Sequence, residues 1–293
     1  MASLKEIRTR IASVKTTRQV TSAMKMVSAA KLKKAQDSIL QIRPYADKLH
    51  HILQTLSASL DDSVESVFTQ QRMPERVLIV LITSNRGLCG AFNSSISKTA
   101  TELATTKYRR QLNAGNVHFL SVGKQGEKYL KSRGFYLIAQ ANEIFDSLTF
   151  DRASILAKNL MEDFVTETYD RIDLVYNEFI NAAAQECIVE QFLPVQQEPE
   201  KSGKSANHNY IYEPGIEEIV NELIPRSLKT QFFKALLDSN ASEHGARMTA
   251  MHKATDNATD LIKDLTLTFN KARQAAITNE ILEVTNGAEA LNG

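Results

Sequence analysis

The run Gly203-Lys204-Ser205 invites a phosphate-binding reading, because backbone amides, a lysine and a hydroxyl can together hold a nucleotide. A complete phosphate loop also needs a glycine five positions before its Gly-Lys pair, between a strand and a helix. Glu198 stands there instead, and the surrounding QQEPEKSGKSANHN (196–209) is polar and rich in breakers, so it reads as a loop. A second candidate is Gly87-Leu88-Cys89-Gly90, which follows an apolar run and precedes a helical one, the place of a dinucleotide fingerprint. Its spacing is GxxG rather than GxGxxG, which favours a tight strand-to-helix turn with Cys89 packed inside. Arg86, at the mouth of that turn, is either solvated or an ion-pair donor to a partner. The histidines at 50, 51, 118, 208, 244 and 252 share no metal-ligand spacing with Cys89 or Cys187, and no HExxH pattern is present. Asp61 and Asp62 fall at an expected helix end and read as solvated surface. No serine, cysteine or lysine stands in a nucleophile signature, so no catalytic residue, cofactor or metal is expected.

The residues that punctuate folds are concentrated in the middle of the chain. No glycine precedes Gly87, Pro44 is the sole proline of the first seventy residues, and Gly245 is the sole glycine between Arg226 and Asn286. Glycine and proline end helices, so two long helices are expected at the ends. At the N-terminal end Ile7, Ile11 and Val14 begin a 3.5-residue stripe that resumes at Leu32, Ala35, Ile39, Ile42, Ala46, Leu49, Leu53, Leu56 and Leu60. Between these runs the track holds Arg18, Thr21, Lys25 and Ser28, and the seam is expected to shift to Val20, Met24 and Val27. Because Ala46, Leu49 and Leu53 keep the register across Pro44, one kinked helix is favoured over two. A second seam runs through Met248, Met251, Thr255, Ala258, Ile262, Leu265, Phe269, Ala272 and Ala276. About sixty helical residues would reach roughly 90 Å, too long for one globular core. Antiparallel pairing of the two ends satisfies both seams.

The middle alternates strand-like runs (77–83, 117–122, 136–139, 172–179, 187–193) with helical stretches (92–111, 126–132, 153–169), which predicts a partly parallel sheet flanked by helices. The expected organisation is an N-terminal coiled-coil helix (1–60), a central α/β, Rossmann-like domain (75–195), a polar loop (196–209) and a C-terminal coiled-coil helix (210–293). The two cysteines read as reduced thiols. No apolar run reaches the length of a bilayer span, and no secretory h-region is present.

The formal net charge of +1 over 293 residues hides a basic first helix: nine lysines and arginines against Glu6 within residues 1–34. A transit peptide has this composition, but the apolar spacing runs on past it without a cleavage junction. Nucleic acid would call for interleaved aromatics, and the first forty-four residues have none. A membrane-surface helix would carry bulky anchors opposite the charges. What remains is a solvated coiled-coil face or an acidic protein partner around the helix.

Three separated segments carry a resemblance: KEIRTRIASVKTTRQVTSAMKMVSAAKLKKAQ, SNRGLCGAFN, and ASEHGARMTAMHKATDNATDLIKDLTLTFNKARQAAITNEILEVTNGA. Together they strongly resemble the gamma-subunit family of F-type ATP synthases. The resemblance implies an antiparallel coiled coil entering a hexamer of alpha and beta subunits, with an α/β domain against the epsilon subunit and the c-ring. It implies a central rotor shaft that couples proton flow to conformational cycling of catalytic beta subunits. The chain itself would be non-catalytic and peripheral, on the cytoplasmic side of a bacterial inner membrane. Carried over by matching motif, Met24 and Lys25 would lie near mobile beta loops, Arg86 would pair with such a loop, and Arg273 and Gln274 would hydrogen-bond a second one. Arg247, Thr278 and Glu280 would serve coupling between shaft and head. Asn85 replaces an aspartate found in many relatives, which is expected to weaken a local ion pair. The paired cysteines of a redox-switch insert are absent from 196–209. Competing classes are an enzyme on the α/β domain, separable by nucleotide turnover of the isolated chain, and an unrelated coiled-coil scaffold, separable by co-purification.

Overall fold

The computed structural model describes residues 3–59, 67–195 and 216–292, with side chains described throughout except at 47, 50, 51, 53–59, 216–221 and 289–292. The polar segment 196–209 with its Gly-Lys-Ser run, Asp61 and Asp62, Leu60, and the side chains of His50, His51, His208, Leu53 and Leu56 lie outside that description. Two long helices bracket a sheet: α1 (Leu4–Ser59) and α6 (Ile216–Asn292). Between them run β1 (Val77–Ile82), α2 (Phe92–Thr106), α3 (Arg109–Asn113), β2 (Val117–Val122), α4 (Lys124–Ser132), β3 (Leu137–Gln140), α5 (Phe150–Val165), β4 (Arg171–Phe179) and β5 (Gln185–Leu193). Contacts divide the chain into two compact units, one of residues 1–28 with 248–293 and one of residues 29–247.

The helical unit starts with a side-chain cap. The Ser3 hydroxyl accepts the backbone N–H of Glu6, and Ser-x-x-Glu is the pattern that satisfies a helix's first donors. From there α1 pairs antiparallel with α6. Thr21 meets Thr255, with their hydroxyl oxygens 2.9 Å apart, and the Arg8 guanidinium lies over the Phe269 ring, 5.7 Å from its centroid. Moving back along α1 thus moves forward along α6. Every expected seam position from Met248 to Ala276 is buried or half-buried, and beyond Ala276 the described residues of α6 are exposed.

The seam does not shift on α1. Val20 and Val27 are more than half exposed, while Thr21 and Ser28 are buried. The polar side chains can hold the seam because their hydroxyls need no water. Thr21 donates to the Arg18 carbonyl (3.0 Å), Ser28 to the Met24 carbonyl (2.8 Å), and Thr255 lies 2.7 Å from the Met251 carbonyl. A satisfied buried hydroxyl costs little, so small size decides the seam here rather than hydrophobicity.

In the larger unit the sheet runs β3-β2-β1-β4-β5, parallel except for the antiparallel β5 at one edge. Strand β1 is fully buried, and its alternating side chains feed two cores. Leu78, Val80 and Ile82 pack with Leu160 and Phe164 of α5 and with Leu228, Phe232 and Leu236 of α6. Val77, Ile79 and Leu81 pack with Ile96 and Ala100 of α2, Tyr108 and Leu130. The expected helix over 92–111 is two, α2 and α3, separated at Lys107 and Tyr108. Tyr108 turns inward and donates its hydroxyl to the buried Asp173 carboxylate. On α1 the stripe Leu32, Ala35, Ile39 and Leu49 is buried, and the helix runs through Pro44 unbroken. Leu40, whose carbonyl loses its donor to the proline ring, is exposed, as is Pro44, so water can take the bond. Gly245 has a packing reason: a Cβ there would sit 3.1 Å from the Ala182 carbonyl oxygen at the tip of the β4–β5 hairpin.

Candidate partner-contact surface

The turn after β1 is built around a buried arginine. Leu88 and Gly90 both take positive φ (63° and 60°), which folds the chain back sharply and leaves the Leu88 side chain 65% exposed. Such a conformation is unfavourable for leucine and persists only when neighbours enforce it. The enforcing groups converge from two elements, α2 and α6. Asn93 of α2 donates its amide to Ser84 Oγ (2.8 Å) and Cys89 Sγ (3.1 Å), and its oxygen accepts the Ser84 backbone N–H (3.0 Å). Arg247 of α6 donates Nη2 to the carbonyl of Arg86 (2.8 Å) and reaches the Gly87 carbonyl (3.3 Å), while Nη1 pairs with Glu243 at 2.6 Å. Burial pushes the Glu243 carboxyl up, opposed by Arg247 beside it, and pushes the Cys89 thiol up. His244, whose Nδ1 lies 3.3 Å from Arg247, is pushed down to about 4 by burial and then by the Arg247 and Lys31 charges. It is therefore a neutral imidazole.

Arg86 and Arg247 are thus brought together, but in different roles. Arg86 offers only its backbone carbonyl to the clamp and keeps an exposed side chain. Arg247 is buried and fully engaged inside the unit. Its expected part in coupling would therefore act through the shape of the turn. The residues that complete this clamp, Glu243, Asn93 and Ser84, were not expected. The Glu243–Arg247 spacing of one helical turn was the available signal.

The crevice where strand order reverses, between the C-terminal ends of β1 and β4, is where open α/β sheets bind ligands. Here protein fills it. Ser84, Cys89 and Asn93 occupy one side, and the buried Asn177 of β4 donates to the Phe92 carbonyl (3.5 Å) and accepts from Cys187 Sγ (3.0 Å). Gly123, at φ 110°, lies so close to Thr83 that a Cβ would stand 2.2 Å from that residue's carbonyl oxygen. A glycine that could admit a pyrophosphate admits a neighbouring backbone instead. Asn85 spends its amide on backbone, donating to the Asn142 carbonyl (2.7 Å) and accepting from Lys124 N–H (3.1 Å). An aspartate could not make the first of these bonds. Both cysteines are free. Among the described residues no group of acidic, histidine or cysteine side chains could hold a metal, and no helix is long and apolar enough to cross a membrane.

The remaining expected contact residues lie on the helical unit. Met24 and Lys25 are half-buried on α1, close to the Thr21–Thr255 level. Arg273, Gln274, Thr278 and Glu280 are exposed on α6, at the opposite end of the pairing, and Thr278 donates to the Gln274 carbonyl (2.9 Å). Around them stand large apolar side chains with no cover: Val20, Met26 and Val27 on α1, and Ile277, Ile281 and Val284 on α6. Exposed apolar residues in such number along a helix pair are the kind of surface that partners cover.

Comparison with known proteins agrees with this geometry. A family model described as ATP synthase matches residues 3–291. The ATP synthase gamma chain of Flavobacterium johnsoniae is 58% identical, with both chains covered in full, and that of Cytophaga hutchinsonii is 52% identical with the same coverage. A chain from the central stalk and c-ring structure of Tetrahymena thermophila mitochondrial ATP synthase superposes with a TM-score of 0.58 at 28% identity, covering 80% of this chain and 99% of that one. A chain of the Euglena gracilis mitochondrial enzyme gives a TM-score of 0.67 at 21% identity, covering 98% and 94%, and shares the fold. The chain belongs to the ATP synthase gamma-chain family.

Proposed function

We propose that this chain is the central rotor shaft of a proton-translocating F-type ATP synthase, turning with the membrane c-ring and driving the catalytic beta subunits through their conformations. One observation carries the reading. A chain that aligns from end to end with ATP synthase gamma chains also pairs its two termini antiparallel, and its last helix runs on exposed beyond Ala276. A pair of helices resists twisting because each turn of one is braced on the other. This pair carries Lys5, Arg8, Arg10 and Lys15 exposed on α1 and Lys25 half-buried, a basic surface suited to acidic loops of surrounding subunits.

In this reading the chain does no chemistry of its own, and ATP forms on beta. Met24, Lys25, Arg273, Gln274, Thr278 and Glu280 meet the alpha and beta subunits directly. Arg86 does so from the clamped turn, with Leu88 beside it, while Arg247 sets that turn's geometry. The α/β unit meets the epsilon subunit and the c-ring. The chain is peripheral, held at the cytoplasmic face of the bacterial inner membrane by the complex.

The test is isolation of the tagged chain from membranes, followed by reconstitution of the complex in vesicles. Alpha, beta, epsilon and c subunits should co-purify, and the isolated chain should turn over no nucleotide. Reversing charge at several of Lys5, Arg8, Arg10, Lys15 and Lys25 should lower protons pumped per ATP hydrolysed without unfolding the chain. Turnover by the chain alone, or unchanged coupling in the charge-reversed complex, would defeat the reading.

A further inference from the structure

Asp238 is a buried carboxylate of the α/β unit. It lies on α6, fully buried, and among the described residues neither carboxylate oxygen has a hydrogen-bond partner. The hydroxyl of Ser239 beside it is also buried and unpartnered. This stretch of α6 is seated on the β4–β5 hairpin. Gln231 donates to Glu190 Oε1 (2.8 Å), Phe232 meets Phe192 with ring centroids 6.0 Å apart, and Ser242 donates to the Asn177 carbonyl (3.2 Å). Asp238 therefore stands between the bonds that fasten helix to hairpin and makes none itself.

The charged and titratable groups that act on it come from every element of this junction. Lys234 belongs to α6, Arg43 to α1, Tyr176 and Glu178 to β4, and Glu190 to β5. Tyr176 gives its hydroxyl to Glu190 Oε2 (2.7 Å) and is held protonated by burial, so it is unavailable to Asp238. Among the described residues neither Lys234 nor Arg43 forms an ion pair with Asp238. An ionised Asp238 is thus a bare buried charge with two carboxylates in its field, whereas a protonated one is a neutral group of the same size.

We propose that Asp238 is a proton-binding site of this chain, and that binding the proton tightens the seat of α6 on the β4–β5 hairpin. Burial first, and then the Glu178 and Glu190 charges against the opposing Lys234 and Arg43, push its carboxyl up to about 6. An unfolded chain releases that proton near pH 4. Between these values the folded state holds a proton that the unfolded state lacks, so the contribution of Asp238 to stability falls as pH rises from about 4 to about 6. His244 works in the opposite sense. Held down to about 4, it makes stability rise as pH climbs from about 4 towards its ordinary 6.5. The two slopes overlap and oppose, so the wild-type profile alone would hide both.

The experiment is therefore a difference measurement on the full chain. Thermal unfolding of wild type and Asp238→Asn is followed from pH 5 to pH 8, with hydrogen exchange read on peptides from α6 and the β4–β5 hairpin. The variant should melt a few degrees above wild type at pH 8, and the gap should narrow below pH 6 to about half by pH 5. Exchange in α6 and the hairpin, corrected for intrinsic rate, should quicken in wild type relative to the variant as pH rises from 5 to 7. A pH-independent gap would overturn the proposal. If Asp238→Asn fails to fold, carboxyl NMR of the wild-type chain with isotope-labelled aspartate decides. A buried aspartate resonance titrating near pH 6 and insensitive to a relaxation agent in solution supports the site, and its absence rules it out.

Discussion

The two units of this chain solve the same packing problem with opposite means. In the α/β unit a strand with no exposed side chain is sandwiched between two cores, and most buried polar groups there are bonded, with Asp238 the charged departure. The helical unit has a single narrow seam in which Thr21, Ser28 and Thr255 are as well placed as Ile7 or Met251, while large apolar side chains stand uncovered outside. A sheet domain draws its stability from volume, so shape and hydrophobicity are both required. A two-helix pair draws on close approach of backbones, so small residues suffice and apolar area is left over for others to bury.

That contrast can be broken at its strong end first. Phe232→Ala, in the core between α6 and the sheet, should cost about 3–5 kcal/mol, read as a lowered unfolding midpoint of the full chain. Glu243→Leu should follow at roughly 3 kcal/mol, because it leaves the Arg247 charge buried without its partner. The turn at Leu88 should loosen with it, visible as faster hydrogen exchange at 84–90. In the helical unit the effects shrink. Thr21→Val alone should cost about 1 kcal/mol, the scale of one net hydrogen bond. Thr21→Val combined with Thr255→Val should recover most of it, since both hydroxyls are then replaced by methyl groups of the same shape. The smallest change in stability belongs to Arg273→Ala and Lys25→Ala, within about 0.5 kcal/mol. If these residues meet the beta subunits, ATP-driven proton pumping of the reconstituted complex should nonetheless fall. A large loss of stability with normal pumping would place them in the fold instead.

The sequence could be read furthest where periodicity is strong. The seam from Met248 to Ala276 and the five strands emerged because regular elements repeat their burial at fixed spacing. Reading failed where geometry depends on partners distant in sequence. Thr21 and Ser28 look like a break in the stripe until their hydroxyls are seen bonded to their own helix. Tyr108 stands at the break between α2 and α3, where Asp173 on β4 receives its hydroxyl. Arg247 looks like one more surface cation, yet it holds carbonyls 160 residues away. Asp238 gave no signal, since a lone aspartate in a helix is ordinarily solvated. Most of the contact residues carried by resemblance lie exposed.

The central claim is that the two ends of this chain form one shaft that turns as a body. Cysteines at Thr21 and Thr255, whose hydroxyl oxygens lie 2.9 Å apart, test it in the assembled complex under mild oxidation. The account predicts rapid disulfide formation with ATP synthesis retained, because a bond within the shaft does not tie it to its housing. Failure to form the bond, or a formed bond that stops synthesis until reduced, would contradict it.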